Sequence, residues 1–133
     1  MSIAQAAVLM GRTFAESLMV DACTISRKTG ESINAETLEA SATTVQQYSG
    51  VCRLTMPATV ARDSESGSRV LIEQQLMLSL PIATSGSVRA NDVVTITSSE
   101  NDPTLVGRTF RIAGGHHQSQ ATARRFPVTE VTQ

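Results

Sequence analysis

The hydrophobic period of the chain changes once, at Asp21, and that change limits the folds open to it. Over residues 2–20 the apolar side chains recur at helical spacing. At 100° per residue Ile3, Ala7, Met10, Phe14 and Leu18 fall on one face with Ala6 beside them, and Gln5, Arg12 and Glu16 fall opposite. Ser2 stands where an N-cap belongs. Gly11 costs a helix interior roughly 1 kcal/mol relative to Ala, which points to a close backbone approach there. Val8, Ala15 and Met19 form a second, smaller stripe. It is either ordinary exposed apolar surface or the sign of a helix sandwiched between its own domain and a neighbour.

Beyond Asp21 the period is 2, the mark of strands with one buried face. Cys23 and Ile25 share parity within 22–27, as do Cys52, Leu54 and Met56 within 51–56. A long strand over 70–80 puts Val70, Ile72, Leu76, Leu78 and Leu80 together, with Gln74 as the polar exception. Val94 pairs with Ile96 in 92–97, Phe110 with Ile112 in 108–113, and Phe126 with Val128 in 123–131. Pro127 marks the last strand as an edge or a bulge. A weaker strand over 43–47 leads to a tight turn at Tyr48-Ser49-Gly50. Gly, Asn, Asp and Ser clusters separate these segments. The expectation is one mainly β domain over 1–133: a small antiparallel β-barrel or sandwich of six or seven strands, one N-terminal amphipathic helix over 2–20, and long polar loops at 30–42 and 57–68. Phe14, Phe110 and Phe126 are the expected core anchors.

Composition narrows the function classes. At 133 residues and 41% hydrophobic content the chain is the size of one domain and can fill a core. A net charge of -1 argues against a basic nucleic-acid-binding domain, and 3% aromatics with no Trp leave little for base stacking. No run approaches the roughly 20 apolar residues of a membrane span. Ten of the eleven basic residues are Arg, a bias that suits a partner surface. The opening segment lacks a basic n-region, so it reads as a mature helix, with Cys23 and Cys52 as buried thiols in a reducing compartment.

Catalytic patterns are not prominent. His116 and His117 are adjacent, so on a strand they point to opposite faces and do not share a metal. Their expected place is solvent-side or hydrogen-bonded at a strand end. No GxSxG, GxGxxG or P-loop pattern occurs. Asp63 with Glu65, and Glu100 with Asp102, lie in polar turns. No catalytic, metal or cofactor site is expected. Arg124-Arg125 is the densest positive feature; on a strand one turns inward or along an edge and the other outward.

The C-terminal half carries Asp102-Pro103-Thr104-Leu105-Val106-Gly107-Arg108-Thr109-Phe110-Arg111-Ile112, then His116-His117, Ala121-Thr122-Ala123-Arg124-Arg125 and a Val128, Glu130, Val131 ending. Upstream stand Tyr48-Ser49-Gly50-Val51-Cys52-Arg53-Leu54, Leu78-Ser79-Leu80-Pro81 and Val88-Arg89-Ala90-Asn91-Asp92-Val93-Val94-Thr95-Ile96. Over most of 8–131 this resembles the head-to-tail stopper (head-closure) neck proteins of tailed phages infecting actinobacteria. The resemblance implies a small β-barrel with a helix, without enzymatic activity, in a homo-oligomeric ring of six or twelve copies. Such a ring sits in the virion neck, between the portal-adaptor ring and the tail terminator or tail tube, with packaged double-stranded DNA passing through its channel. A neighbouring phage role, tail terminator or adaptor, is the nearest rival, and the period-2 pattern disfavours the helix-dominated adaptor. An oligonucleotide-binding barrel and a small hydrolase or metal enzyme using His116 or His117 are the rivals from other classes. Within the stopper reading, Pro57–Arg69, with Arg62, Asp63, Glu65 and Arg69, is expected to line or plug the channel. Val8, Ala15, Met19, Arg124 and Arg125 are expected at the subunit interface.

Overall fold

The computed structural model of the protein describes residues 2–56, 60–63, 70–73 and 76–131. Helix α1 spans Ile3–Ser17, and Ser2 caps it by accepting the Gln5 N–H at 3.1 Å. Strands β1 (Asp21–Ile33), β2 (Ala40–Thr55), β5 (Leu76–Leu80), β6 (Val93–Ser98), β7 (Thr109–Ile112) and β8 (Arg124–Glu130) close into an antiparallel barrel in the order β1-β2-β5-β8-β7-β6. Strands β3 (Val60–Asp63) and β4 (Val70–Glu73) form a separate two-stranded ribbon between β2 and β5 in sequence.

The period-2 segments supply the barrel core as expected. Cys23, Ile25, Cys52, Leu78, Leu80, Val94, Ile96, Phe110, Ile112, Phe126 and Val128 are buried in one cluster. The expected parities of Val94 with Ile96, Phe110 with Ile112 and Phe126 with Val128 all point inward. Both cysteines are free, buried thiols. The hydrogen bond to Cys52 and burial push the Cys23 thiol well above its ordinary range, so it stays protonated.

Several expectations are corrected. Residues 30–42 are not a loop. The β1–β2 pairing continues from Arg27↔Val45 to Ile33↔Ala40, leaving only 34–39 as a turn. There the Asn34 carbonyl accepts the Leu38 N–H at 2.7 Å and Leu38 adopts a positive φ of 58°. Beyond Ser26, β1 has lost its β6 neighbour, and β2 meets β5 only at Arg53–Thr55. Most of this hairpin is therefore a two-stranded arm leaving the barrel. With water on both faces it has no need of apolar alternation, which is why 30–42 shows none.

Tyr48-Ser49-Gly50 is not a turn but the middle of β2, paired with Cys23–Ile25. A bulge lies beside it, because Ile25 pairs with Tyr48 while Ser26 pairs with Gln46. The extra residue breaks the alternation that separated a 43–47 strand from a 51–56 strand in the sequence. The long strand expected over 70–80 is two strands with different partners, β4 on β3 and β5 on β2 and β8. Part of the loop expected at 57–68 is strand β3.

Pro127 sits in a strand with neighbours on both sides. Its carbonyl accepts the Ala113 N–H at 2.8 Å, one residue past the end of β7. In an antiparallel pair a residue's N–H and C=O point the same way. The proline's missing donor thus falls where β7 runs out, which is the local edge that a proline requires.

The helix reverses its expected faces. Ile3, Met10 and Phe14 are 91%, 74% and 66% exposed, whereas Met19 is 4% exposed and Val8, Gly11 and Ala15 are half-buried. Phe14 is therefore no core anchor. At Gly11 a Cβ would stand 2.6 Å from Thr122 Cγ2, so the close approach signalled by this glycine is made to the 121–123 segment. Arg12 Nε donates to the Ala121 carbonyl at 3.1 Å nearby. Small residues let the helix come this near, and a Phe or Met on that side would hold it off. The barrel closes over its own core, so it demands little cover from the helix.

Candidate functional site

The family-like block at 102–112 is a structural device. Asp102 accepts the Thr104 hydroxyl at 2.6 Å and the Thr104 N–H at 3.1 Å and opens the 3-10 turn Pro103–Leu105. These bonds from Thr104 hold the Asp102 carboxyl below its usual range. Gly107 takes φ +85°, a left-handed backbone that favours glycine, and its N–H reaches the Ile96 carbonyl at 2.8 Å. Arg108 Nε then bonds the Thr104 carbonyl at 3.0 Å, and its Nη1 meets Glu130 at 2.9 Å. The block thereby joins β6, β7 and β8.

A second device fixes the root of the arm. Asp92 is buried and receives Arg27 Nε at 2.8 Å and Arg27 Nη2 at 3.0 Å, together with the Arg89 N–H at 2.8 Å. The hydrogen bond to Asp92 raises the Arg27 guanidinium further above its ordinary range. Arg27 Nη2 also bonds the Ser87 carbonyl at 2.7 Å, and Ser87 Oγ bonds the Gln47 carbonyl at 3.0 Å. The 85–92 segment is thus clamped to both strands where the arm departs. Nothing in the spacing of Arg27 and Asp92 signalled this pair, because it is made only when β1 pairs with β6.

Two surfaces remain as places for function. One is the outward face of α1, where Ile3, Met10 and Phe14 form an apolar strip with Leu18 at its end. Single exposed apolar residues are ordinary, but a strip along one helix face marks an interaction surface. Of the residues expected at an interface, Met19 is buried within its own chain, and Ala15, Met19 and Arg125 line a cavity of about 290 Å³ between α1 and the barrel, with Phe14 and Leu18 of the exposed strip at its rim. Val8 is half-buried on the same inner side. Met19 of the second stripe is thus packed on its own chain, whereas Ile3 and Met10 of the first face outward and Phe14 and Leu18 are exposed at the cavity rim.

The other place is a cavity of about 420 Å³ at the end of the barrel where the arm leaves, lined by Gly86, Val88, Arg89, Ala90, Gly115, His116, His117, Arg124 and Phe126. Arg124 is half-buried and Arg125 exposed, the inward and outward split expected of neighbours on a strand. His116 Nδ1 accepts the Arg125 N–H at 3.3 Å, and the ring stands edge-on to Phe126 at 6.4 Å. His116 is thus hydrogen-bonded beside a strand, as expected, and His117 is exposed. His116 Nε2 and Arg124 Nε are buried with no hydrogen-bond partner among the described residues.

Of the expected channel residues, Arg62 and Asp63 stand on β3, paired with Leu71 and Val70 of β4. Glu65 and Arg69 lie outside the described residues. Among the described residues no three His, Cys, Asp or Glu side chains converge as a metal site would require. No described helix is long and apolar enough to cross a membrane.

A family model matches residues 11–129, from the second half of α1 to the penultimate residue of β8. The chain belongs to DUF6093, a family of unknown function. No curated protein and no solved structure matches it. The DUF6093 match takes in the barrel as far as Thr129, the arm and the 102–112 block, and it begins at Gly11, where the helix touches the barrel.

Proposed function

We propose that the protein is a structural subunit of a tailed-phage neck, a head-to-tail stopper. Its copies form a ring that closes the DNA exit channel after packaging and presents a docking face to the tail. The observation that carries this reading is the outward strip of α1. A ring subunit needs two different surfaces that fit one another around a closed circle. The large apolar side chains Ile3, Met10 and Phe14 are held on a capped helix seated by Gly11, and the described residues leave most of their surface exposed. The β1–β2 arm supports the same reading, since a projecting hairpin with Ile33 and Leu38 exposed near its tip reaches beyond the body of its own subunit. Within the ring the β3–β4 ribbon is the element that extends toward the pore, with Arg62 and Asp63 on its first strand. The closed β architecture and the sequence blocks that it uses as joints agree with the neck-protein resemblance.

The test is genetic. Particles assembled with this coding sequence interrupted are expected to give heads that lose their DNA and tails that stay unjoined. Normal yields of joined, infectious particles would overturn the proposal.

A further inference from the structure

We propose that the cavity beside His116 and Arg124 is a binding site for a small organic oxyanion, a carboxylate or a phosphate ester. This goes beyond the stopper reading and does not depend on it. Because His116 Nδ1 accepts the Arg125 N–H, the ring proton of the neutral imidazole resides on Nε2, which makes that atom a donor. Arg124 Nε is a donor in every state of the side chain. Both donors are buried and neither has an acceptor among the described residues. Buried polar groups are nearly always paired in folded proteins, so two unpaired donors beside one cavity point to a partner that brings acceptors.

The rest of the lining agrees. Arg89 and His117 also line the cavity, and among the described residues no acidic side chain does. Four residues with nitrogen-bearing side chains therefore border one space. Val88 and Phe126 supply an apolar wall for a carbon skeleton. A volume of about 420 Å³ is larger than an inorganic ion needs and falls within the range of small-molecule pockets. Guanidinium and imidazole N–H groups on one cavity suit an oxyanion, whose oxygens accept several charge-assisted bonds at once.

The experiment is a titration of the full chain, with imidazole NMR signals of His116 and His117 as the readout. Inorganic phosphate and succinate are the two probes, at constant ionic strength set with chloride. A saturable shift of His116 is expected with at least one probe, weakened at least tenfold in Arg124→Gln. Stronger binding of phosphate identifies a phosphate ester as the ligand class, and stronger binding of succinate a carboxylate. No saturable shift with either probe at millimolar concentration overturns the proposal, as does equal binding by the variant. Should Arg124→Gln fail to fold, Arg89→Gln at an exposed position takes its place with the same expected loss.

Discussion

Replacing Gly11 by Ala gives the sharpest probe of how α1 sits on the barrel. The substitution removes the propensity cost of a mid-helix glycine, a gain of about 0.8–1.0 kcal/mol. It also places a methyl 2.6 Å from Thr122 Cγ2, where carbon atoms normally rest about 3.5–4.0 Å apart. Relieving an overlap of that size in packed surroundings costs about 1–3 kcal/mol. Thr122 does not turn aside freely, because its hydroxyl accepts Arg125 Nη2 at 3.4 Å and its β-branched side chain is stiff. Gly11→Ala alone is therefore expected to lie between neutral and about 2 kcal/mol destabilising. Thr122→Ser removes the offending methyl and keeps the hydroxyl. The next atom, Thr122 Cβ, is then 3.6 Å away, an ordinary contact. In that background the same substitution is expected to stabilise by about 1 kcal/mol. Urea unfolding of the four proteins, followed by far-UV circular dichroism, gives the coupling directly, with about 1–3 kcal/mol expected. If Gly11→Ala stabilises equally in both backgrounds, the helix does not rest on Thr122 and its outward face is wrongly assigned.

Three further outcomes are expected. Tyr48 is the single tyrosine of a chain without Trp, so absorbance near 295 nm reports its ionisation alone. Burial pushes its phenol up to about 12, against an ordinary value of about 10. The native state then keeps a proton that the unfolded chain releases, so this contribution is full below pH 10 and declines as pH rises toward 12; a native midpoint at the ordinary value would refute the buried placement. Asp92→Ala is expected to lower Tm by several degrees more than Glu31→Ala, because it leaves the Arg89 N–H without its acceptor and the Arg27 guanidinium with the Ser87 carbonyl alone, whereas Glu31 and Lys28 form an exposed pair. Met10→Ser with Phe14→Ser is expected to leave the unfolding midpoint nearly unchanged, since both side chains face water. A loss on the scale of a buried Phe, about 3–5 kcal/mol, would place them in the core.

The sequence made the barrel legible wherever one strand face is dry. Cys23 with Ile25, Val94 with Ile96, Phe110 with Ile112 and Phe126 with Val128 could be read from parity alone, because a period of 2 fixes which side chains meet the core. Gly11 was legible too, from a helix-interior cost that a close contact offsets. The arm was not, because strands wet on both faces carry no alternation. The continuity of β2 was hidden by a bulge that shifts the parity at Gln47. The helix misled for a different reason. The most apolar face of an amphipathic helix is assigned to its own core by default, and here the core is already closed. The His116–Arg124 cavity left only a partial trace. His116-His117 and Arg124-Arg125 were conspicuous in the sequence, but their meeting depends on the fold between β7 and β8.

The most direct test of the neck-subunit proposal is a cryo-electron microscopy map of the neck of a tailed particle carrying this coding sequence, at a resolution that separates helices from strands. A ring of copies of this barrel below the portal, with Ile3, Met10 and Phe14 of α1 covered by a neighbouring chain, is the predicted result. A mature particle without this chain, or a ring in which that face of α1 stays in solvent, would contradict it.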